Sequence, residues 1–266
     1  MLNIPLFDSL SHPSLDGNWL GDRFRGENTL DHYVDQMAPN DVKWAFCVGM
    51  EKVGSYNPAL YSQFIRARSP KLFPIAYYPY DSDQEAPEKI RAKLELLKGQ
   101  AYSGIKLHPR FSNIQLGAPA LREIIRIAND LNLLVLLCTQ VECRGAISYQ
   151  NHILQIAQLL YELDDPKLIL LHGGTVQLME LMEKVRPYSR VVLDLSYTLC
   201  KYEGSSIDLD IAFLFRNFDQ RICVGSDSPE YTVKKLRQRF DLFAEGLPQK
   251  KQENIGYLNL MRLIEG

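Results

Sequence analysis

Eight times along this chain a short β-branched or apolar run is followed by a polar turn and then by a stretch whose apolar residues recur at three and four. The runs are Ile4–Asp8, Trp44–Gly49, Leu72–Tyr78, Gly104–His108, Leu133–Thr139, Leu168–His172, Val191–Ser196 and Ile222–Ser226. Leu121, Ile124, Ile125, Ala128 and Leu131 typify the helical stretches, as do Ile153, Ile156, Ala157, Leu160 and Tyr161. LLVLLC and LILLH are apolar on both faces, which strands covered by helices require and half-exposed antiparallel strands do not. A buried parallel sheet is expected.

Eight such units in 266 residues match a (β/α)8 TIM barrel, an α/β fold that takes about 250 residues. A doubly wound open sheet is the alternative, but no GxGxxG follows the first run. The chain has no internal repeat beyond the alternation and no Gly-, Pro- or Ser-rich linker, so residues 1–266 are expected to form one domain. Pro248–Gly266 reads as a last helix with Leu258, Met261, Leu263 and Ile264 as its apolar residues.

Thirty basic residues against 32 acidic ones give a net charge of −2 and no field for nucleic acid or anionic lipid, so neither is expected as a partner. No apolar run approaches the roughly 18 residues that span a bilayer, and the first residues lack the regions of a signal peptide. A cytoplasmic location is the expectation. Cys47, Cys138, Cys143, Cys200 and Cys223 are an odd set without CxxC spacing, which suits reduced thiols, most of them small buried apolar groups. Nothing in the sequence marks an oligomeric state.

A barrel builds its site at the C-terminal ends of its strands. Those ends carry Asp8 and His12, Tyr80, Lys106 and His108, Cys138, His172, Asp194 and Ser196, and Asp227. Each alone has a structural explanation; their convergence points to a site. Lys106 and His108 lie two apart, so they share the strand face that points inward. A lysine there needs an anion, either a substrate carboxylate or Asp227, or else a salt bridge to a neighbouring acid such as Asp194. Arg110 and Arg144 follow strands four and five, where they add forked carboxylate recognition or are simply solvated. The loop from Ser11 to about Asn28 is long for its kind and carries Trp19, Arg23, Phe24, Arg25 and three glycines, as a lid does, or an insertion packed on the rim.

FDSLSHP, GIKLHP, LLVLLCTQ, LILLHGGT, VVLDLS and VGSDSP, in this order, resemble the amidohydrolase-related barrels, the branch of metal-dependent hydrolases that also contains decarboxylases. The resemblance runs from Phe7 to the terminal YLNLMRL, where Asn259 is similar to the Asn of the family's closing helix. It implies that His172 contacts substrate or reacting water and that Asp227 holds metal or acts as base. The family's metal chemistry matches less well. Leu10 replaces the first His of HxH, leaving His12, and Cys138 stands where the fifth strand has a metal-binding His.

Two sites are therefore open. In one, His12, Cys138 and Asp227 hold zinc with water in the fourth position. In the other no metal binds, and Asp227 with His172 activates water or positions substrate, as the resemblance to the family's metal-independent lactonases implies. The second is favoured because an apolar Leu removes a donor and a thiolate must first lose its proton; Cys138 is then an inert buried thiol. The leading expectation is a hydrolase of an ester, lactone or amide in a small, carboxylated, anionic molecule. Asp227 is its general base, His172 polarises or orients, Lys106 and His108 stabilise negative charge, and His12 is a further donor. A decarboxylase-type lyase and a non-catalytic binding barrel are the alternatives.

Overall fold

The computed structural model describes residues 4–140 and 152–265. Strands β1 (Leu6–Ser11), β2 (Val42–Val48), β3 (Leu72–Tyr77), β4 (Gly104–Leu107), β5 (Leu134–Cys138), β6 (Leu168–Leu171), β7 (Val191–Asp194) and β8 (Ile222–Cys223) follow one another around a single parallel sheet in chain order. The seam between its ends is bonded too. Ser9 N donates to Val224 O at 3.1 Å, Asp227 N to Leu10 O at 2.9 Å and His12 N to Ser228 O at 2.8 Å. The result is the (β/α)8 barrel expected from the alternation, not an open doubly wound sheet.

Helices α1 (Leu30–Met37), α2 (Pro58–Arg68), α3 (Pro87–Gly99), α4 (Pro109–Ser112), α5 (Pro119–Asp130), α6 (His152–Leu163), α7 (Leu178–Val185), α8 (Thr198–Lys201), α9 (Ile207–Asn217) and α10 (Val233–Ala244) fill the crossovers. Their starts are written in the sequence: Thr29 and Thr232 accept the N–H groups of His32 and Lys235, and Pro58, Pro87 and Pro119 sit at first-turn positions. In α5, Leu121, Ile124, Ile125 and Ala128 are buried as their spacing predicts. In α6, Ile153, Ile156 and Leu160 are buried, but Tyr161 is exposed and Leu159 joins the stripe instead. Tyr161 lies a further 100° around the helix from Leu160, away from the stripe's centre.

Period-two alternation divides the core into two layers. Outward residues such as Ile105, Leu107, Val135 and Leu137 pack on the helices, while Phe7, Leu10, Phe46, Val48, Leu136 and Ile169 fill the barrel. α11 (Gln249–Glu253) and α12 (Asn259–Glu265), joined by a π-turn, close its lower end. Leu263 is buried there, with Met261 and Ile264 packed against the interior layer and Leu258 only partly covered. Asn259 Nδ2 donates to Asp219 O and Ile222 O, at 2.7 and 2.8 Å, and so pins the start of β8.

One strand departs from expectation. β1 runs to Ser11 rather than stopping at Asp8, because both polar residues of its middle are satisfied inside the fold. Asp8 accepts from Tyr33 Oη at 2.8 Å, Ser226 N at 2.8 Å and Ser226 Oγ at 2.6 Å, while Ser9 donates to Asp194. Among the described residues no helix is long and apolar enough to cross a membrane. Cys47, Cys138, Cys200 and Cys223 are free and buried; Cys143 lies outside the described residues.

Candidate active site

A cavity of about 230 Å³ opens at the C-terminal ends of the strands. His12, Lys106, His108, Arg110, His172 and Asp227, from β1, β4, β6 and β8 and the turns after them, all line it. Their meeting follows from the alternation just described. Lys106 points inward because its neighbours Ile105 and Leu107 face the helices. His108 follows on the same face.

The turn after β6 is unusual backbone. His172, Gly173, Gly174 and Thr175 all have positive φ, at 66°, 57°, 76° and 56°. At Gly173 a Cβ would lie 2.9 Å from Leu178 Cδ1, so the LHGG motif has a packing reason as well as a conformational one. Asp227 is also left-handed, at φ 53°, and its amide is tied to β1. Such backbone is held by its surroundings and is common where side chains must be aimed.

His12 Nδ1 donates to Val48 O at 2.9 Å, which leaves Nε2 as the acceptor when the ring is neutral. Lys106 Nζ stands 3.2 Å from that nitrogen, and Asp227 Oδ1 is 3.5 Å from it. Burial, and next the Lys106 charge, push His12 down to about 4, so it is neutral at pH 7. Burial raises Asp227, but His12, protonated at the low pH where Asp227 titrates and then able to donate to it, together with the charges of His172 and Lys106, more than offsets this and holds it down to about 2. Burial also lowers Lys106 from its ordinary range. Indole Trp19 stacks on His12 with centroids 4.7 Å apart and donates Nε1–H to Glu230 at 3.0 Å.

Beneath this trio lies a second one. Cys138 faces inward with Leu134 and Leu136 of β5, near His108 and His172, and its thiol is placed to donate to Gln140 O at 3.9 Å. Burial opposes the thiolate, yet the two rings together draw Cys138 well below the ordinary thiol range. His172 is driven the other way: burial disfavours its charge, but the thiolate raises it to about 9. Its Nδ1 donates to Ser196 O at 3.2 Å, and its amide donates to Asp194 Oδ2 at 3.2 Å. His108 is lowered by burial, and its Nδ1 is buried without a hydrogen-bond partner. Arg110 Nε is likewise unpartnered, its guanidinium lying over Phe111.

These residues do not fit a divalent metal. Leu10, where the resemblance puts a histidine, is sealed inside the barrel. The Cys138 thiol is turned to Gln140 O, and the Lys106 ammonium takes the free nitrogen of His12. Among the described residues no three His, Cys, Asp or Glu side chains are placed to share an ion. The set His12, Cys138 and Asp227 expected for zinc is therefore not assembled.

Other expectations divide. Asp8 does not reach the mouth, Tyr80 hydrogen-bonds Asp83, and Asp194 is a buried support beneath His172 rather than a lining residue. Arg144 lies outside the described residues. Sequence reasoning did not single out Tyr197 and Glu230, which complete the wall. Glu230 follows GSDSP directly, so the strand-eight motif was the signal that pointed to it.

No curated protein matches the sequence. The model of a family described as Amidohydrolase matches residues 43–264. Among solved structures, an uncharacterized TIM-barrel protein from Bordetella bronchiseptica aligns with a TM-score of 0.81 at 16% identity, over 98% of this chain and 99% of that one. The 5-carboxyvanillate decarboxylase of Sphingomonas paucimobilis gives 0.70 at 9% identity over 99% of each chain. The 4-oxalomesaconate hydratase of Rhodopseudomonas palustris gives 0.67 at 13%, over 98% of this chain and 95% of that one. At these identities the likeness is one of fold.

Proposed function

The chain belongs to the amidohydrolase family, and we propose that it is a hydrolase of a small carboxylated ester, lactone or amide in which Asp227, not a metal, activates water. The observation that carries this reading is the buried Asp227 carboxylate on the same cavity wall as Lys106, His108, Arg110 and His172. A cavity of about 230 Å³ suits a small molecule, and its cationic side chains suit a carboxylate.

A carboxylate held near 2 is a reluctant base. Substrate changes that. A carboxylate bound against Lys106 and Arg110 offsets the cations that hold Asp227 down, so its proton affinity rises only when the cavity is filled. Asp227 then takes a proton from water as the oxygen attacks the acyl carbon. Lys106 and His108 face the developing oxyanion, and the proton on Asp227 passes to the departing oxygen or nitrogen. His172 orients the water, and neutral His12 fixes the Lys106 ammonium through Nε2.

A lyase is the second reading. It is favoured by the same carboxylate-binding wall and by the decarboxylase and the hydratase among the similar folds. The experiment is a panel of carboxylated lactones, esters and amides, with carboxylated phenols beside them, assayed on chelator-treated protein and on Asp227→Asn. Hydrolysis that survives chelation and is lost in Asp227→Asn supports the proposal. Activity that returns only with added metal, carbon dioxide release from the phenols, or ligand binding with no turnover of any compound each overturns it.

A further inference from the structure

The lower end of the barrel, remote from Asp227, has a larger cavity of about 520 Å³. Lys167 before β6, Arg190 before β7, Arg221 before β8 and Arg262 of α12 surround it, over an apolar floor that includes Val192 and Leu263. No carboxylate lines it. Conservation of the fold asks for none of this, since the lower end of a barrel serves stability.

Each cation is fixed in place mainly by neutral oxygens. Arg221 donates Nε–H to Val191 O at 2.9 Å and Nη2–H to Val185 O at 3.0 Å. Arg262 donates to the side-chain oxygens of Asn259 and Asn254, both at 2.9 Å. Lys167 Nζ donates to Asn132 Oδ1 at 3.0 Å, and Arg190 is held by the Asp165 carbonyl with the Asp165 carboxylate 4.0 Å away. Among the described residues Lys167, Arg221 and Arg262 have no carboxylate within ion-pair distance. Burial and then the Arg190 charge lower Lys167, and the Asp165 carboxylate beside Arg190 and Arg221 is the one counter-charge near the four cations among the described residues. Oriented cationic donors that outnumber their counter-charges around a metabolite-sized hollow are how proteins recognise multivalent oxyanions.

We infer that this lower cavity is a second binding site, separate from the catalytic one, for a small multiply charged anion carrying phosphate or clustered carboxylate groups. The apolar floor can also take the carbon body of an organic anion. The site is independent of the hydrolase reading.

Calorimetric titration of the full chain tests this, using pyrophosphate for the phosphate source and citrate for the carboxylate source, with sodium chloride at matched ionic strength as control. One saturable site for at least one of the two anions is expected, unchanged in Asp227→Asn and Arg110→Gln. The double variant Arg190→Gln/Arg262→Gln, whose side chains are solvent-exposed, should fold normally by circular dichroism and bind about 100-fold more weakly, roughly tenfold for each guanidinium. Which anion binds names the source. No saturation beyond the chloride control, binding lost in Arg110→Gln, or binding unaffected by the double variant overturns the inference.

Discussion

Replacing Cys138 with serine removes the anion that keeps His172 charged, so two spectroscopic signals should vanish together. The charges of His108 and His172 draw the buried thiol down against the cost of burial. Burial opposes the imidazolium, but the thiolate lifts His172 from 6.5 to about 9. At 1.36 kcal/mol for each tenfold, that rise is worth about 3 kcal/mol. Because the folded value lies above the unfolded one, this stability is fully present below pH 6.5 and lost as pH climbs through 9. The other described cysteines stay protonated: burial pushes Cys47 and Cys200 up to about 12 and Cys223 well above the ordinary range. The assay is ultraviolet thiolate absorbance at neutral pH together with an NMR titration of the imidazoles. Cys138→Ser should lose the absorbance of a single thiolate, and His172 should fall from about 9, with burial pulling it down and the Asp227 and Asp194 charges still holding it up. Wild-type absorbance that appears only at strongly alkaline pH, with His172 already neutral at pH 7, would refute the ion pair and the charge reading of the cavity with it.

Asp227→Asn should keep the fold and lower turnover by roughly 10²–10⁴-fold, the usual contribution of a general base, as steady-state kinetics on the responsive substrate will show. Lys106→Met should weaken binding of a carboxylated inhibitor by roughly 100-fold, as expected when one partner of a buried charge pair is truncated. In the same variant the His12 titration seen by NMR should rise from about 4, with burial still keeping it below the free value. Acid stability separates two buried groups of opposite sign. His12, depressed from 6.5 to about 4, costs the fold about 3 kcal/mol as pH falls through that window. Asp8, raised by burial from 3.8 to about 6, returns a similar amount as pH falls through its own. Urea unfolding at pH 7 and pH 4.5 should therefore show Asp8→Asn more acid-sensitive than wild type, and His12→Gln less so.

The parts legible in the sequence were those set by local period. Lys106 and His108 share a face because they are two apart on a strand whose intervening residues are apolar, and the cavity holds both. Asp227 and His172 stood out because GSDSP and LHGG put polar residues directly after apolar runs. What could not be read was pairing across the barrel. Asp8 ends an apolar run, yet Tyr33 and Ser226, from opposite ends of the chain, make it an interior residue. Trp19 meets Glu230 across 211 positions. Cys138 offered a metal ligand by position and an inert thiol by type. That two histidines from different strand ends would flank it could not be read from position or type.

The charges at the barrel mouth make sense as one balance. A catalytic zinc carries two positive charges to a barrel mouth, balanced by its anionic ligands. Here Leu10 supplies no donor, and the mouth holds two cations, the Lys106 ammonium and the His172 imidazolium, set against the Asp227 carboxylate and the Cys138 thiolate. Neither cation stands alone. Lys106 is seated on His12, and His172 is braced by Ser196 and Asp194. Replacing Leu10 with histidine would not by itself build a metal site, because the ammonium would remain on His12. Leu10→His combined with Lys106→Met removes that obstacle. Metal analysis of both variants separates the ammonium's hold on His12 from the lack of one donor: uptake by the double variant and not by the single one is the outcome expected here.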